Sequence, residues 1–540
     1  MKNTENLLSI SNLKKYFPIA KRSMFQREEL YVRANEEISL DIKNGETLGL
    51  VGESGCGKST LGRTILQLYE QTAGSTMYYG RTIGELAPYY VEDTLKNAKR
   101  MIEEYKRCDR LAMRAINECE AAKGSASFYQ LQRRNLAIAE ADTARAKVAK
   151  ILGGFMTLDD PSEGACVLLD MYNTAKRLAR QRKHLELLDL KTEKSEEDDI
   201  PVGRYESRTR RGEKRLYDLK KERELCIALI AYLEKRYVEL ESDLEELKRK
   251  YAEDERFLEY ESYLDDGIDL TRLSYNEMRA LRKDLQIIFQ DPYSSLNPRM
   301  TVGQIIAEGL VTHGFFKHGS DEMKDYILKI MRKCGLQDYM IHRYPHQFSG
   351  GQRQRICIAR ALAVKPRFVV CDECVSALDV SIQSQIINLL EELKREENLT
   401  YLFISHDLSV VRYVSDRIGV MYLGNIVEFG DADALFDDPR HPYTVALLSS
   451  IPTTEPNADG RRRIILEGNI PSPVHPPLGC KFHTRCYMAC EICKRIPPPR
   501  IEVSKGHYVV CHFPERKIGE DGEYLFEENN EVTERGSDNK

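Results

Sequence analysis

Polar and apolar positions alternate from residue 30 and then close into an apolar run, ISLDIKNGETLGLV, a pattern that predicts strands leading into a glycine-rich loop. A helix from about Lys58 to Leu68 is predicted directly after that loop. From about Arg81 to Asp266 the pattern changes: Lys, Arg, Glu and Leu dominate, proline is rare, and apolar residues recur at helical spacing. Cys226, Ile230, Leu233, Tyr237, Leu240, Leu244, Leu247 and Tyr251 are spaced alternately by four and three, the seam of a coiled coil. The first half of the stretch, around Leu95, Ala98, Ile102, Tyr105, Ala112 and Ile116, matches less well. A segment that leaves and re-enters a compact domain is expected to be an antiparallel helical hairpin, about 50 Å long if some 35 residues of one arm are helical. From Arg282 onward the runs LQIIF, RFVVCD and LTYLFISH read as buried parallel strands, separated by helical stretches such as DVSIQSQIINLLEELKREE. The fold class is therefore α/β. Five segments follow: 1–80 and 267–456 as two parts of one domain, 81–266 as a helical insert, 457–515 as an extension, and 516–540 as an acidic, frayed tail. The break before the extension falls between Pro452 and Arg461, where Pro, Gly, Arg and Cys become frequent.

The length of 540 residues exceeds one ordinary core, in keeping with that division. Charged residues make up 31% of the chain, yet the formal net charge is only -5, so composition offers no argument for a nucleic-acid partner. No apolar run reaches the eighteen or so residues that span a bilayer, and the N-terminus MKNTENLLSISNLKK lacks the apolar stretch of a signal peptide. A cytosolic location is expected. Nine of the fourteen cysteines are scattered singly, as buried thiols would be in a reducing compartment, whereas Cys480, Cys486, Cys490, Cys493 and Cys511 crowd into one short segment.

The candidate chemistry starts at GESGCGKST, residues 52–60. Gly52, Gly57, Lys58 and Ser59 fit a phosphate loop, in which the backbone N–H groups of Gly52 to Thr60, Ser54, Gly55 and Cys56 among them, close around phosphate oxygens. Lys58 would neutralise the β- and γ-phosphates of ATP and Ser59 would ligate Mg2+. RFVVCDE places Asp372 at the end of an apolar strand, where it can hold the magnesium shell, with Glu373 beside it to polarise an attacking water. FSGGQRQR, residues 348–355, opens a helix at Ser349, an anion site in its own right. LKKYFP offers Phe17 to stack on adenine, with Tyr16 as the alternative.

With FSGGQRQR in place, the sequence resembles the ABC ATPase family. The resemblance implies an ABC-type nucleotide-binding domain with a phosphate-loop core, an antiparallel β subdomain and a helical signature subdomain. It also implies a dimer, in which Ser349, Gly350, Gly351 and Gln352 of one subunit cover ATP held by the other's loop. Further family elements stand in order: Gln290 in IIFQDP, matching a loop that senses magnesium and touches the permease; Asp379 ending SALD; and His406 in ISHDL, matching the switch histidine. Glu373, His406 and Gln290 are thereby the expected catalytic set, and Ser59, Gln290 and Asp372 the magnesium set. LRKDLQIIFQDPYSSLNPRMTV, YPHQFSGGQRQRICIARAL, HPYTVALLSSIP and LEGNIPSPVHPPLGCKFHTRC are similar to the ATP-binding subunits of oligopeptide and dipeptide importers, the second of the paired ATPases. The likeness spans about 7–80 and 267–515 and leaves out the insert, which splits a hairpin running from STMYYG to Gly267. Implied partners are a second ATPase, two permease subunits and, indirectly, an extracytoplasmic peptide-binding protein, with no nucleic acid; the implied location is the cytoplasmic face of the membrane, held peripherally. Cys374 departs from the family's proline. Cys480, Cys486, Cys493 and Cys511, spaced C-x5-C-x6-C-x17-C, match the family's C-terminal segment, which in some relatives binds a [4Fe-4S] cluster. Zinc or plain thiols remain open, and Cys490 is an extra candidate ligand. Two other readings stand beside the main one: a related importer of nickel chelates or other small solutes, and a soluble coiled-coil ABC ATPase of DNA repair. The insert is either a solvated decoration or a docking arm for the partner ATPase or a regulator.

Overall fold

The computed structural model describes residues 5–20, 30–121, 128–198, 206–376, 378–451 and 464–514. The break expected between Pro452 and Arg461 and the tail 516–540 lie outside them.

Alternation builds the first sheet. Strands β1 (Asn6–Pro18), β2 (Tyr31–Lys43), β4 (Ala73–Tyr78) and β5 (Ile268–Asp269) pair antiparallel in the order β2-β1-β4-β5. On β2, Ile38, Leu40 and Ile42 are buried while Glu37 and Asp41 are exposed, so one face covers the core and the other meets water. β3 (Thr47–Val51), by contrast, has no polar face, and all five of its residues are buried. It lies inside a second sheet with β6 (Leu285–Ile288), β7 (Phe368–Asp372), β8 (Thr400–Ile404), β9 (Arg417–Tyr422), β10 (Asn425–Asp431), β11 (Arg500–Ser504) and β12 (His507–Val510). The order is β11-β12-β10-β9-β3-β8-β7-β6, parallel from β9 to β6 and antiparallel beyond. The continuous apolar runs of β3, β7 and β8 are the mark of central parallel strands covered on both faces. Opposite pairs are Leu50 with Ile404, Ile404 with Asp372, and Cys371 with Ile288, so the C-terminal ends of β3, β8, β7 and β6 come out side by side.

Helix α1 (Lys58–Ile65) follows β3 and packs against the sheet. The insert departs after β4 and returns at β5, whose pairing, Met77 with Asp269 and Tyr78 with Ile268, closes the split hairpin. Between them run α2 (Tyr89–Lys96), α3 (Ala98–Ala121), α4 (Phe128–Leu152), α5 (Ser162–Asp198) and α6 (Glu206–Arg249). α3 packs on α4 and α5 on α6, two helix pairs where the sequence predicted one hairpin. Many buried positions of the α3–α4 pair are small, Ala98, Ala112, Ala115 and Cys119 on α3 and Ala139, Ala141 and Ala149 on α4, beside the larger Ile102, Val148 and Leu152, and small residues weigh little in a heptad pattern. On α6 the seam residues Cys226, Leu233, Leu240, Leu244 and Leu247 are buried, and Asp189 of α5 meets Arg223 of α6 at 2.6 Å. With 44 residues, α6 is about 66 Å long, beyond the 50 Å expected.

The base of the insert is built into the β subdomain. The Arg81 guanidinium pairs with both carboxylate oxygens of Asp284, one at 2.8 Å, and Arg272 lies over the Tyr90 ring at 4.4 Å. Arg272 also donates to the Lys147 carbonyl and the Thr94 hydroxyl, and Lys150 donates to the Ser75 hydroxyl. Four helices complete the catalytic side: α7 (Val302–Thr312), α8 (Asp321–Lys333), α9 (Gly350–Ala363) and α10 (Val380–Glu397), packed in one apolar cluster that includes Ile306, Ile327, Ile358 and Leu390. Of the nine scattered cysteines, seven are buried as expected, while Cys108 is half-buried and Cys166 is exposed on α5.

Candidate functional site

The loop from β3 to α1 is shaped by glycines that no other residue could replace. Gly52 (φ 150°) and Gly57 (φ 106°) sit where a Cβ would come within 2.2 Å of the Met421 and Ala34 carbonyl oxygens, respectively. Gly55 (φ 82°) faces open space. Lys58, buried, folds its ammonium back onto the Gly52 carbonyl at 2.7 Å and the Glu53 carbonyl at 3.2 Å, capping the ring of the loop. Asn35 on β2 donates to the Gly57 carbonyl at 3.1 Å, bracing the loop from behind. Ser54 is exposed, and Ser59 and Thr60 are half-buried on the first turn of α1.

Side-by-side strand ends bring three distant residues together. Gln290, two residues past β6, donates its Nε2 to the Glu373 Oε2 at 2.8 Å, and His406, two residues past β8, places Nδ1 3.6 Å from that same oxygen. Glu373 itself takes a left-handed conformation (φ 48°), rare for a side chain bearing a Cβ, with its N–H donated to the Ile404 carbonyl. That turn aims the carboxylate at the gap between strands. Asp372 is buried; its Oδ2 accepts from Arg63 on α1 at 3.1 Å, and its Oδ1 has no protein partner. A buried carboxylate oxygen left without a protein partner, on the strand that packs against the helix carrying Ser59, fits a hydrated divalent cation such as Mg2+.

Ser349 caps α9: its hydroxyl accepts from the Gln352 N–H and the Gln352 side chain accepts the Ser349 N–H. Ser349 and Gly350 are exposed, and a Cβ at the buried Gly351 would meet Ile382 of α10 at 2.4 Å. Asp379 is exposed at the start of α10 and makes no side-chain cap. Phe17 is half-buried, edge-on to Tyr69 with the Lys15 ammonium 4.6 Å above its ring, whereas Tyr16 is buried with its hydroxyl donated to Glu36 at 2.8 Å. Of the two aromatics, only Phe17 has a ring that reaches the surface. Cys374, in the proline position, is buried.

In the extension, Cys480, Cys486, Cys493 and Cys511 line one small cavity of about 20 Å³ together with His441, Phe482 and His483. Cys490 stands 3.6 Å, sulfur to sulfur, from Cys493 and outside that lining. Burial pushes the Cys480 thiol up to about 11 and the Cys486 thiol to about 12. Among the described residues, no group of three or more His, Cys, Asp or Glu side chains is drawn together tightly enough to hold a metal ion.

Sequence reasoning missed Arg63, Asn35, Arg485 and Lys481. Arg63 lies one and a half turns beyond Lys58 on the same helix, and its face could have been read. The others act across 22, 432 and 445 positions, on Gly57, Glu53 and Glu36, and no local spacing announces them.

Residues 35–196 and 256–376 match the family model described as ABC transporter, and residues 427–493 match the one described as oligopeptide/dipeptide transporter, C-terminal region. The oligopeptide transport ATP-binding protein AppF of Bacillus subtilis is 52% identical over 248 residues, 46% of this chain and 75% of that protein. The oligopeptide transport ATP-binding protein OppF of Salmonella typhimurium is 50% identical over 246 residues, 45% of this chain and 73% of that protein. Among the described residues, no helix is long and apolar enough to cross a membrane. A phosphate loop, a helix-capping SGGQ segment and a Gln–Glu–His convergence, in a chain matched this far, place the protein in the ABC transporter family.

Proposed function

We propose that this chain is the ATP-binding and ATP-hydrolysing subunit of an importer of oligopeptides or dipeptides, and that it works on the cytoplasmic side of the membrane with permease subunits and a second ATPase. The observation that carries this is the convergence of Gln290 and His406 on Glu373 beside the phosphate loop, in a chain whose extension matches the oligopeptide/dipeptide model. In this reading the backbone N–H groups of Gly52 to Thr60, with the Lys58 ammonium, receive the phosphates, and Phe17 receives the adenine. Ser59, Asp372 and Gln290 would hold Mg2+, which when bound neutralises phosphate charge. Glu373 accepts a proton from the attacking water, Gln290 fixes its carboxylate by the 2.8 Å hydrogen bond, and His406 faces the terminal phosphate. Ser349, Gly350 and Asp379 are exposed and Gln352 is half-buried, which leaves this end of α9 open to a partner's nucleotide. The domain division is read as above: 81–266 as an insert whose α5–α6 pair is a coiled-coil arm, 267–456 as the rest of the cassette, and 457–515 as the extension.

The test is capture of the full-length chain from membranes. Permease subunits should co-purify, and a peptide-loaded binding protein should raise ATP turnover by the assembled complex. ATP turnover indifferent to peptide but raised by nickel chelates would move the cargo, and turnover raised by DNA, with no permease, would overturn the reading in favour of a soluble ATPase.

Cys480, Cys486, Cys493 and Cys511 are proposed as ligands of an iron–sulfur cluster or zinc. Support comes from their common cavity; against a ready-made cluster site stand its volume, near that of a single water, and the protonated thiols. The walls must part and the thiols lose protons for a cluster to enter. Protein purified without oxygen should be brown, with an absorbance shoulder near roughly 400 nm. Colourless, iron-free protein with one bound zinc would assign zinc, and absence of both metals would leave plain thiols.

A further inference from the structure

The cysteine-lined cavity and the phosphate loop are far apart in sequence yet joined through two side chains. Arg485, immediately before Cys486, grips Glu53 of the loop with both terminal guanidinium nitrogens, Nη1 and Nη2, at 2.7 and 3.0 Å; the arginine side chain is 6% exposed and the carboxylate 27%. Lys481, immediately after Cys480, donates to the Glu36 carboxylate at 2.7 Å, to the Leu423 carbonyl and to the Asn425 side chain. Glu36 adjoins Asn35, which holds the Gly57 carbonyl. Burial acts against ionisation of Glu36, but Lys481, with Arg33 and Tyr16, brings it down to about 2, so the carboxylate is charged and paired at neutral pH. An apolar contact runs parallel to these ion pairs. The Tyr443 hydroxyl accepts the Glu53 N–H at 2.9 Å, and the Tyr443 ring packs 5.4 Å from Phe482, which lines the cysteine cavity.

Each link therefore starts one residue from a cavity cysteine, or on the cavity wall, and ends on the loop or on the strand behind it. Backbone bonds tie the cysteine segment together: the Cys480 N–H is donated to the Cys493 carbonyl at 2.8 Å and the Arg485 N–H to the Phe482 carbonyl at 3.0 Å. Neutralising Glu53 also has an electrostatic purpose. A bare carboxylate in the loop would repel the incoming triphosphate, and Arg485 cancels it in a site with little solvent screening.

We infer that Arg485 and Lys481 are positioning residues for the phosphate loop, and that they couple the state of the cysteine cavity to nucleotide affinity, in both directions. The inference rests on the reading of Gly52 to Thr60 as the ATP site. Occupying or blocking the Cys480 and Cys486 thiols changes the loop, and nucleotide in the loop changes the reactivity of those thiols, because a coupling free energy between two sites is reciprocal.

The experiment uses the full-length chain, metal-free, in wild-type, R485M and R485K forms. Affinity for a fluorescent ATP analogue is measured together with the rate at which iodoacetamide labels Cys480 and Cys486, resolved by peptide mass spectrometry, with and without saturating Mg-ATP. R485M should bind the analogue about tenfold or more weakly, the cost of truncating one partner of a buried, hydrogen-bonded charge pair. R485K should recover part of the affinity, since it keeps the charge but not the two-pronged contact. In wild type, nucleotide should change the labelling rate of Cys480 and Cys486 severalfold; in R485M, even at saturation, the change should be clearly smaller, because only the Lys481 and Tyr443 links remain. Should R485M fail to fold, the wild-type labelling and R485K decide alone. Wild-type labelling blind to bound nucleotide, or R485M affinity equal to wild type, would overturn the coupling. A wild-type chain that binds no nucleotide at all would instead overturn the reading of the loop.

Discussion

Glu373→Gln should lower the rate of ATP hydrolysis by about 10² to 10⁴-fold while leaving nucleotide affinity close to wild type. The substitution keeps the size of the side chain and one oxygen, so Gln290 retains an acceptor and the turn after β7 has no new volume to accommodate. What disappears is the capacity to take a proton. The left-handed backbone at Glu373 (φ 48°) and the 2.8 Å bond from Gln290 hold that carboxylate in one place, and His406 stands 3.6 Å away to face the same reaction centre. Nucleotide binding depends on different groups, the loop N–H groups and Lys58, which E373Q does not touch. Steady-state turnover measured beside the affinity for a fluorescent ATP analogue separates the two effects. An unchanged turnover number would remove Glu373 as the base, and loss of binding with turnover would show that the side chain is structural.

Deleting residues 81–266 and joining Gly80 to Gly267 should yield a chain that does not fold, although the sequence also allows the insert to be read as a solvated decoration. The deletion removes Arg81 from Asp284, whose carboxylate is 6% exposed, and an abandoned buried charge costs about 3–5 kcal/mol. The Asp284 carbonyl accepts the N–H groups of Arg367 and Phe368, so any shift there reaches the start of β7, the strand that carries Asp372. Arg272 loses its Tyr90 ring and the Lys147 and Thr94 oxygens, and the Asp269 N–H loses the Tyr90 hydroxyl. Together these losses rival the whole stability of an ordinary domain, about 5–15 kcal/mol. Excising only 186–222 and closing α5 onto α6 with a short glycine turn should leave thermal stability and ATP turnover near wild type, because the ion pairs made by its described residues, Asp189 with Arg223 and Glu222 with His184, stay within the α5–α6 pair. Thermal melts and ATPase assays on both deletions check the contrast. A full deletion that melts and turns over like the intact chain would return the insert to the status of a decoration.

Much of this was legible without coordinates because it is local. The loop needs glycines and a lysine at fixed spacing, Ser349 needs Gln352 three residues on to close its cap, and central parallel strands need unbroken apolar runs such as FVVCD. The heptad seam on α6 was legible for the same reason: its period is a property of one helix. The α3–α4 pair was misread because alanines carry little weight in a pattern of large apolar residues, although Ala98, Ala112, Ala115, Ala139 and Ala149 are all buried there. The length of the arm and the integration of its base also escaped, since neither a helix end nor a contact such as Arg81 with Asp284 has a local signature.

The sequence by itself determined which chemical groups are present and in what order: the phosphate loop, the Asp372–Glu373 pair, the SGGQ cap and the cluster of cysteines. Their order along the chain does not make a site. Only the tertiary structure decided that Gln290, Glu373 and His406 meet, because three parallel strands in register end at one edge, and that Arg485 of the cysteine segment closes on Glu53. Spacing along one element follows from backbone geometry and can be read from the residues, whereas contacts between elements depend on the order in which strands join a sheet, which no single segment encodes.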